Sequence, residues 1–256
     1  MPNHKTTALV TGASAGLGAQ FCRQLADRCE VIIAVARRGD RLAQLQEELA
    51  GRVQLHAIEA DLTQIEGVAR AMEALRQLGP VDYLVNNAGF STYGSFPDLG
   101  IDGQRDMVSL HIDATITLCR AAIPFMRERG TGYIINVSSV GAFLPGKGLA
   151  VYGASKAFLN FFSLALQEEL AGTGIEVQSL CPGYTHTEFH QQIERGGFNK
   201  ARIPAAMWME ADAVVAASLA ALGSHRVLIV PGEENLKLAR AGYQRQLDGL
   251  EEATAR

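Results

Sequence analysis

Ser139, Tyr152 and Lys156 are the residues whose types and spacing speak most directly of chemistry. The string Tyr152-Gly153-Ala154-Ser155-Lys156 sets a phenol and an ammonium four residues apart, on one face of a helix. An ammonium beside a phenol favours the phenolate and draws its pKa from ~10 towards working pH. Tyr152 could then give a proton to a carbonyl oxygen or take one from an alcohol. Ser139 closes an apolar run thirteen residues earlier and could hydrogen-bond the same oxygen. A tyrosine–lysine pair at this spacing also decorates ordinary helix surfaces, so the chain around it has to supply the context.

Near the start, Thr11-Gly12-Ala13-Ser14-Ala15-Gly16-Leu17-Gly18 joins an apolar run to an amphipathic one. Glycines at 12, 16 and 18 would allow a tight turn and a close backbone approach to a pyrophosphate. The N–H groups at the start of the next helix would hold the anion. Ser14 and Leu17 fall inside that turn and belong to the candidate cofactor site. The spacing G-x-x-x-G-x-G also suits an ordinary strand–helix turn. Gly12 to Gly16 spells G-x-S-x-G as well, the nucleophile elbow of serine hydrolases. That elbow follows a central strand and needs an earlier one for its oxyanion hole, yet only 11 residues precede Gly12. A hydrolase therefore ranks last.

Further candidates stand just after other apolar runs. Arg37-Arg38 follow the second, where an acidic residue would accept bonds from an adenosine ribose and an arginine suits a 2′-phosphate. Asp40 lies beyond, near the next helix start. NADP(H) is thus expected over NAD(H), although two arginines could also be a solvated helix entry. Asp61-Leu62 end the third run. With Thr63-x-x-Glu66 offering a capping box for the next helix, Asp61 is expected to be free for an adenine amino group. Asn86-Asn87-Ala88-Gly89 end the fourth, where buried amides demand partners.

The elements that must position these residues alternate regularly. Short β-branched runs at 8–11, 31–35, 53–58, 81–86, 133–137, 176–180 and 226–230 read as strands. Helical patterns lie between them at about 16–28, 40–50, 64–78, 103–129, 151–171 and 210–222. Strands apolar on both faces, alternating with amphipathic helices, predict a single α/β domain with a doubly wound, seven-stranded parallel sheet. Ligands of such sheets bind beyond the carboxyl ends of the strands, where the candidates above cluster. Composition agrees: 256 residues, 48% hydrophobic and 20% charged, with net charge −4. That excludes a nucleic-acid footprint, and no apolar stretch reaches the ~18 residues of a membrane span. Four scattered cysteines without a CxxC read as reduced thiols, no metal site is expected, and the first ten residues lack a leader. A cytoplasmic protein is the expectation.

Taken together, Thr11–Gly18, Asp61, Asn86–Gly89, Ser139, Tyr152, Lys156 and the turn Pro182-Gly183-x-x-x-Thr187 resemble a short-chain dehydrogenase/reductase of the compact single-domain type. The resemblance covers nearly the whole chain. It implies a Rossmann-like sheet in the order 3-2-1-4-5-6-7 and hydride exchange with a nicotinamide cofactor. It further implies Tyr152 as acid/base, Ser139 holding the substrate oxygen, and Lys156 binding the nicotinamide ribose while tuning Tyr152. Thr185 and Thr187 would lie by the carboxamide and phosphates, with Pro182 and Gly183 in the same turn. Tyr152 and Lys156 thereby also count among the cofactor contacts. One position departs from the family: His111 stands 28 residues before Ser139, where an asparagine usually supports a water-linked proton path. Met107, Ala114 and Leu118 mark the inward stripe around it. The imidazole is either a core histidine or a member of the proton relay, for which its ordinary pKa of ~6.5 is suited.

The segment at about 184–210 is expected to roof the cleft. Phe189, Phe198, Met207, Trp208 and Met209, with Phe90 and Leu144, suggest a small hydrophobic or aromatic carbonyl or alcohol substrate. His186 and His190 add polar groups, and Gly196-Gly197 could hinge the roof. Homo-oligomers, dimers or tetramers, are implied through the helices at 103–129 and 151–171. The charged helical tail from Glu233 covers either a partner or the sheet edge. A carbonyl reductase or alcohol dehydrogenase leads these readings, and a non-catalytic NADP(H)-binding regulator or scaffold comes second.

Overall fold

The computed structural model describes residues 5–189 and 199–254. Strands β1 (Thr7–Thr11), β2 (Val31–Ala36) and β3 (Gln54–Glu59) pair in parallel, with β2 in the middle. On the other side of β1 come β4 (Tyr83–Asn86), β5 (Gly132–Val137) and β6 (Ile175–Leu180). A short pair of strands, β7 (Tyr184–Thr185) and β8 (Trp208–Met209), lies outside this sheet, and β9 (Leu228–Ile229) closes its far edge. The seven-stranded order is β3-β2-β1-β4-β5-β6-β9. This is the expected order, with β9 as the seventh strand of the main sheet. The pair β7–β8, two residues each, was not visible in the pattern.

Every strand residue from β1 and β2 is buried, which explains their uninterrupted apolar character. Ala8, Val10, Ile32 and Ala34 point to one face, with Phe21 and Leu25 of α1 (Gly16–Leu25) and Leu42 of α2 (Gly39–Glu48). Leu9, Ile33, Val35 and Leu84 point to the other, with Ala71 and Leu75 of α3 (Ile65–Leu78). Full burial of such side chains contributes ~1.5–3 kcal/mol each, so the strand alternation commits both helix layers.

The helix expected at 103–129 is divided. Helix α4 (Ile101–Val108) runs into a π-turn over Ser109–Asp113 before α5 (Ala114–Arg129) continues. The π-turn is a single turn of five residues, too short to stand out in the apolar pattern of the helices on either side. Helix α6 (Ala150–Glu169) carries Tyr152 and Lys156, and α7 (Ala211–Ala220) backs the sheet beside α1.

Helix α8 (Glu233–Thr254) packs one side against its own chain. Its Ala239 is buried with Phe143 and Cys181, and Gln246 Nε2 donates to the Phe143 carbonyl at 3.1 Å. It therefore covers the end of the chain's own sheet. All four cysteines are free and buried. Among the described residues, no helix is long and apolar enough to cross a membrane.

Candidate active site

At the carboxyl ends of the strands the fold leaves a cleft of about 610 Å3. It straddles β1 and β4, where the strand order reverses direction, the expected ligand position for such a sheet. Eighteen of the twenty candidate residues line it; Gly18 and His111 do not.

The glycine turn makes the floor. Gly12 and Gly16 have φ of 67° and 53°, the left-handed region that favours glycine. A Cβ on Gly12 would lie 2.7 Å from Asn87 Nδ2 and 2.9 Å from Ala88 Cα, and one on Gly18 only 2.2 Å from the Gly12 carbonyl oxygen. Gly18 thus contributes close packing of α1 on the turn, behind the cleft wall. Helix α1 has Ala15 at its N-cap, no side-chain cap and no acid in its first turn. Its N-terminal N–H groups are left uncompensated beside the cleft, a cradle that fits a pyrophosphate. Asn87 locks the turn: its N–H donates to Thr11 Oγ at 2.9 Å and its Nδ2 to the Thr11 carbonyl at 2.9 Å. Asn86 points away, donating to Asn136 Oδ1 at 2.8 Å.

The far end is basic. Arg37 and Arg38 both border the cleft; Arg38 Nε donates to Ser14 Oγ at 3.2 Å. Ser14 is therefore paired with a guanidinium, which leaves the hydrolase reading without its general base. Asp61 departs from expectation. Its Oδ1 accepts from both the N–H and the hydroxyl of Thr63, at 3.0 and 2.9 Å. Helix α3 begins at Ile65 with Gln64 as N-cap and no side-chain cap, so the anticipated capping box does not form. Asp61 is already engaged as the turn former, with Oδ2 3.9 Å from Arg37 Nη1.

Ser139, Tyr152 and Lys156 meet at the centre of the cleft. The extended backbone at Ser138–Ser139 sends the two hydroxyls apart. Ser138 donates to the Lys156 carbonyl at 2.8 Å, whereas Ser139 Oγ accepts the Gly141 N–H at 3.0 Å and lies, like the edge of the Tyr152 ring, within 3.4 Å of where a Cβ on Gly141 would stand. Lys156 Nζ donates to the Val137 carbonyl at 2.8 Å and lies 5.9 Å from the Tyr152 ring centre. Burial pushes the Tyr152 phenol up to about 12, with the Ser139 hydrogen bond pulling the other way. Burial also pulls Lys156 down to about 7. This runs opposite to the depressed phenol expected from sequence, because desolvation of the phenolate outweighs the pull from Ser139.

His111 sits in the π-turn and is 1% exposed. Its Nε2 accepts the Phe90 N–H at 3.3 Å, and Nδ1 is 2.9 Å from Ser155 Oγ. Because the Ser155 hydroxyl donates to the Tyr152 carbonyl at 2.8 Å, Nδ1 carries the hydrogen and both ring nitrogens are engaged. Burial, and then the Lys156 charge, hold the imidazole well below its ordinary value.

The remaining wall is apolar. Phe90, Leu144 and Phe189 line the cleft as expected, and the Phe189 ring lies 6.0 Å from that of Tyr152. Met207, Trp208 and Met209 do not line it. Trp208 stacks on His186 at 4.9 Å and meets Tyr184 at 5.4 Å, so its ring packs on the β7 side of its own segment. His190, Phe198 and the glycine pair 196–197 lie outside the described residues. Sequence reasoning missed Tyr93, Leu149, Glu188, Asn235 and Leu238, all in the wall. The last two arrive from α8, and only the helical tail could have hinted at them.

Comparison with known proteins agrees with this geometry. The short chain dehydrogenase family model matches residues 6–196. A probable NADP-dependent dehydrogenase of Haemophilus influenzae is 37% identical over 199 residues, covering 74% of this chain and 78% of that protein. A short-chain dehydrogenase from Sphingobium yanoikuyae, solved with NADPH, superposes with a TM-score of 0.82 at 33% identity, covering 98% of this chain and 95% of that one. The bulky-bulky ketone specific alcohol dehydrogenase of Comamonas testosteroni superposes with a TM-score of 0.78 at 30% identity, over 95% of each chain. The chain belongs to the short-chain dehydrogenase/reductase superfamily. It is a nicotinamide-dependent oxidoreductase acting on CH–OH groups.

Proposed function

We propose that this enzyme interconverts a bulky apolar or aromatic ketone or aldehyde and its alcohol, with NADP(H) preferred over NAD(H). The observation that carries the reading is one cleft lined by Ser139, Tyr152 and Lys156 together, with arginines at one end and apolar side chains at the other. The similarity to an NADPH-bound dehydrogenase and to a bulky-ketone alcohol dehydrogenase supports it.

The glycine turn, Asn87–Gly89 and Pro182–Thr187 would hold the cofactor, which when bound would supply or accept the hydride. Arg37 and Arg38 would take its 2′-phosphate, Lys156 the nicotinamide ribose, and Thr185 and Thr187 its carboxamide and phosphates. Asp61 and Leu62 border the adenine end. In the reducing direction Ser139 holds the substrate carbonyl oxygen and the neutral Tyr152 phenol donates its proton to it. In the oxidising direction the phenol must first lose that proton, which a pKa near 12 resists. Protonated Lys156 supplies the positive charge that eases this loss, and its own value near 7 keeps the charged form accessible at neutral pH.

His111 is assigned as a positioning residue. Its neutral ring fixes the Phe90 N–H and Ser155, and through Ser155 the first turn of α6 that carries Tyr152. The described part of the expected roof that reaches the cleft is Tyr184–Phe189. A second copy of the chain covers the apolar surface of α4–α6, where Val108, Ile116, Phe125, Phe161 and Leu164 are exposed; light scattering reads that dimer directly.

Steady-state kinetics with a panel of carbonyl compounds tests the substrate class. Aryl and branched ketones should be reduced with NADPH at kcat/KM at least tenfold above small carboxylated or sugar carbonyls, since the wall offers apolar contact. A preference for charged carbonyls would overturn it.

A further inference from the structure

Three consecutive residues after β7 span the whole cleft. Thr187 packs on the glycine turn, its Cγ2 3.2 Å from where a Cβ on Gly16 would stand. Phe189 reaches the ring of Tyr152. Between them, the Glu188 carboxylate pairs with Arg38 Nη1 at 2.9 Å and with Arg41 Nη1 at 3.5 Å, while Arg38 also donates to Ser14.

We propose that Glu188 is a specificity-determining residue for the cofactor, an internal anion that occupies the arginine cradle and competes with the 2′-phosphate for Arg38. The inference rests on the reading that this basic end takes the 2′-phosphate. Arg38 and Glu188 are 45% and 42% exposed, and an ion pair of that exposure adds at most ~1 kcal/mol to fold stability. Its position matters more than its strength: it links the phosphate end of the cleft to the covering segment. A guanidinium can bond a phosphate through two parallel N–H groups as it does a carboxylate, and the greater charge of a phosphate dianion lets it displace the single carboxylate from Arg38. A nucleotide with a free 2′-hydroxyl has no charge with which to do so, and can leave the pair intact. Glu188 therefore weakens binding of 2′-phosphorylated nucleotides while sparing the others.

Calorimetric binding of adenosine 2′,5′-bisphosphate and of 5′-AMP, free of any nicotinamide, tests this in the wild type, Glu188→Gln and Arg38→Leu. Loss of an exposed competitor predicts about fivefold tighter bisphosphate binding to Glu188→Gln, with 5′-AMP unchanged. Arg38→Leu should lose the preference for the bisphosphate. If Arg38→Leu loses that preference but Glu188→Gln binds the bisphosphate no tighter, or binds both ligands tighter alike, the competition is overturned and the phosphate reading stands. If the wild type does not prefer the bisphosphate, the phosphate reading falls and takes the competition with it.

Discussion

The two ends of the cleft are made differently. The turn end is a contiguous stretch, Thr11–Gly18, locked by Asn87 on the neighbouring strand and held mostly by backbone groups. The opposite end, where we propose that the substrate binds, is assembled from Phe90 and Tyr93, from Leu144 and Leu149, from Phe189, and from Asn235 and Leu238 of the final helix. One is a local device that any cofactor of the class can use; the other depends on parts of the chain that meet only in the folded protein. Ser139, Tyr152 and Lys156, the proposed catalytic residues, line the cleft where the two ends join. This arrangement lets the substrate end vary without disturbing the anion cradle.

Substitutions at the join should separate the two ends. Tyr152→Phe keeps the ring that packs against Phe189 and removes the proton. Turnover should fall at least ~100-fold while fluorescence titration finds cofactor affinity within about threefold; a matching loss of affinity would show that the tyrosine serves the cofactor end instead.

A smaller effect follows from Lys156. Its pKa is near 7 in the folded chain against an ordinary 10.5. Between those values the unfolded chain binds the proton and the folded chain does not, so this group's contribution to stability rises with pH across the window. Below the window both states are protonated and the full cost of a buried ammonium is present. Denaturant unfolding at its two ends should show that slope in the wild type and a flatter one in Lys156→Met. Equal slopes would place the ammonium in solvent.

The smallest change is expected at His111. With both nitrogens engaged and the ring neutral, His111→Asn should lower kcat severalfold by loosening Phe90 and Ser155, without moving either limb of the pH–rate profile. A shifted limb would return the imidazole to the proton path.

What could be read from sequence follows the same division. The glycine turn, the strand-end serine and the tyrosine–lysine spacing are local, and the folded protein brings all of them to one cleft. The strand order came through the resemblance and was met in full. The capping box at Thr63 was misread: Thr63 donates to Asp61 and does not cap the next helix, while Asp61 still borders the cleft. The direction of the Tyr152 shift was missed because burial is a property of the whole fold, invisible in a five-residue string. Glu188 stands 150 residues from Arg38, and no local pattern links them. Trp208 looked like a substrate contact by type alone, yet its ring is taken up by His186 and Tyr184.

The most direct test is to titrate the purified protein with NADPH and then NADH by fluorescence, and to add a bulky aryl ketone to the same cuvette. The account predicts tighter NADPH binding and oxidation of the bound nucleotide once the ketone is added. Failure to bind either nucleotide, or binding without turnover across a broad panel of apolar ketones and alcohols, would contradict it.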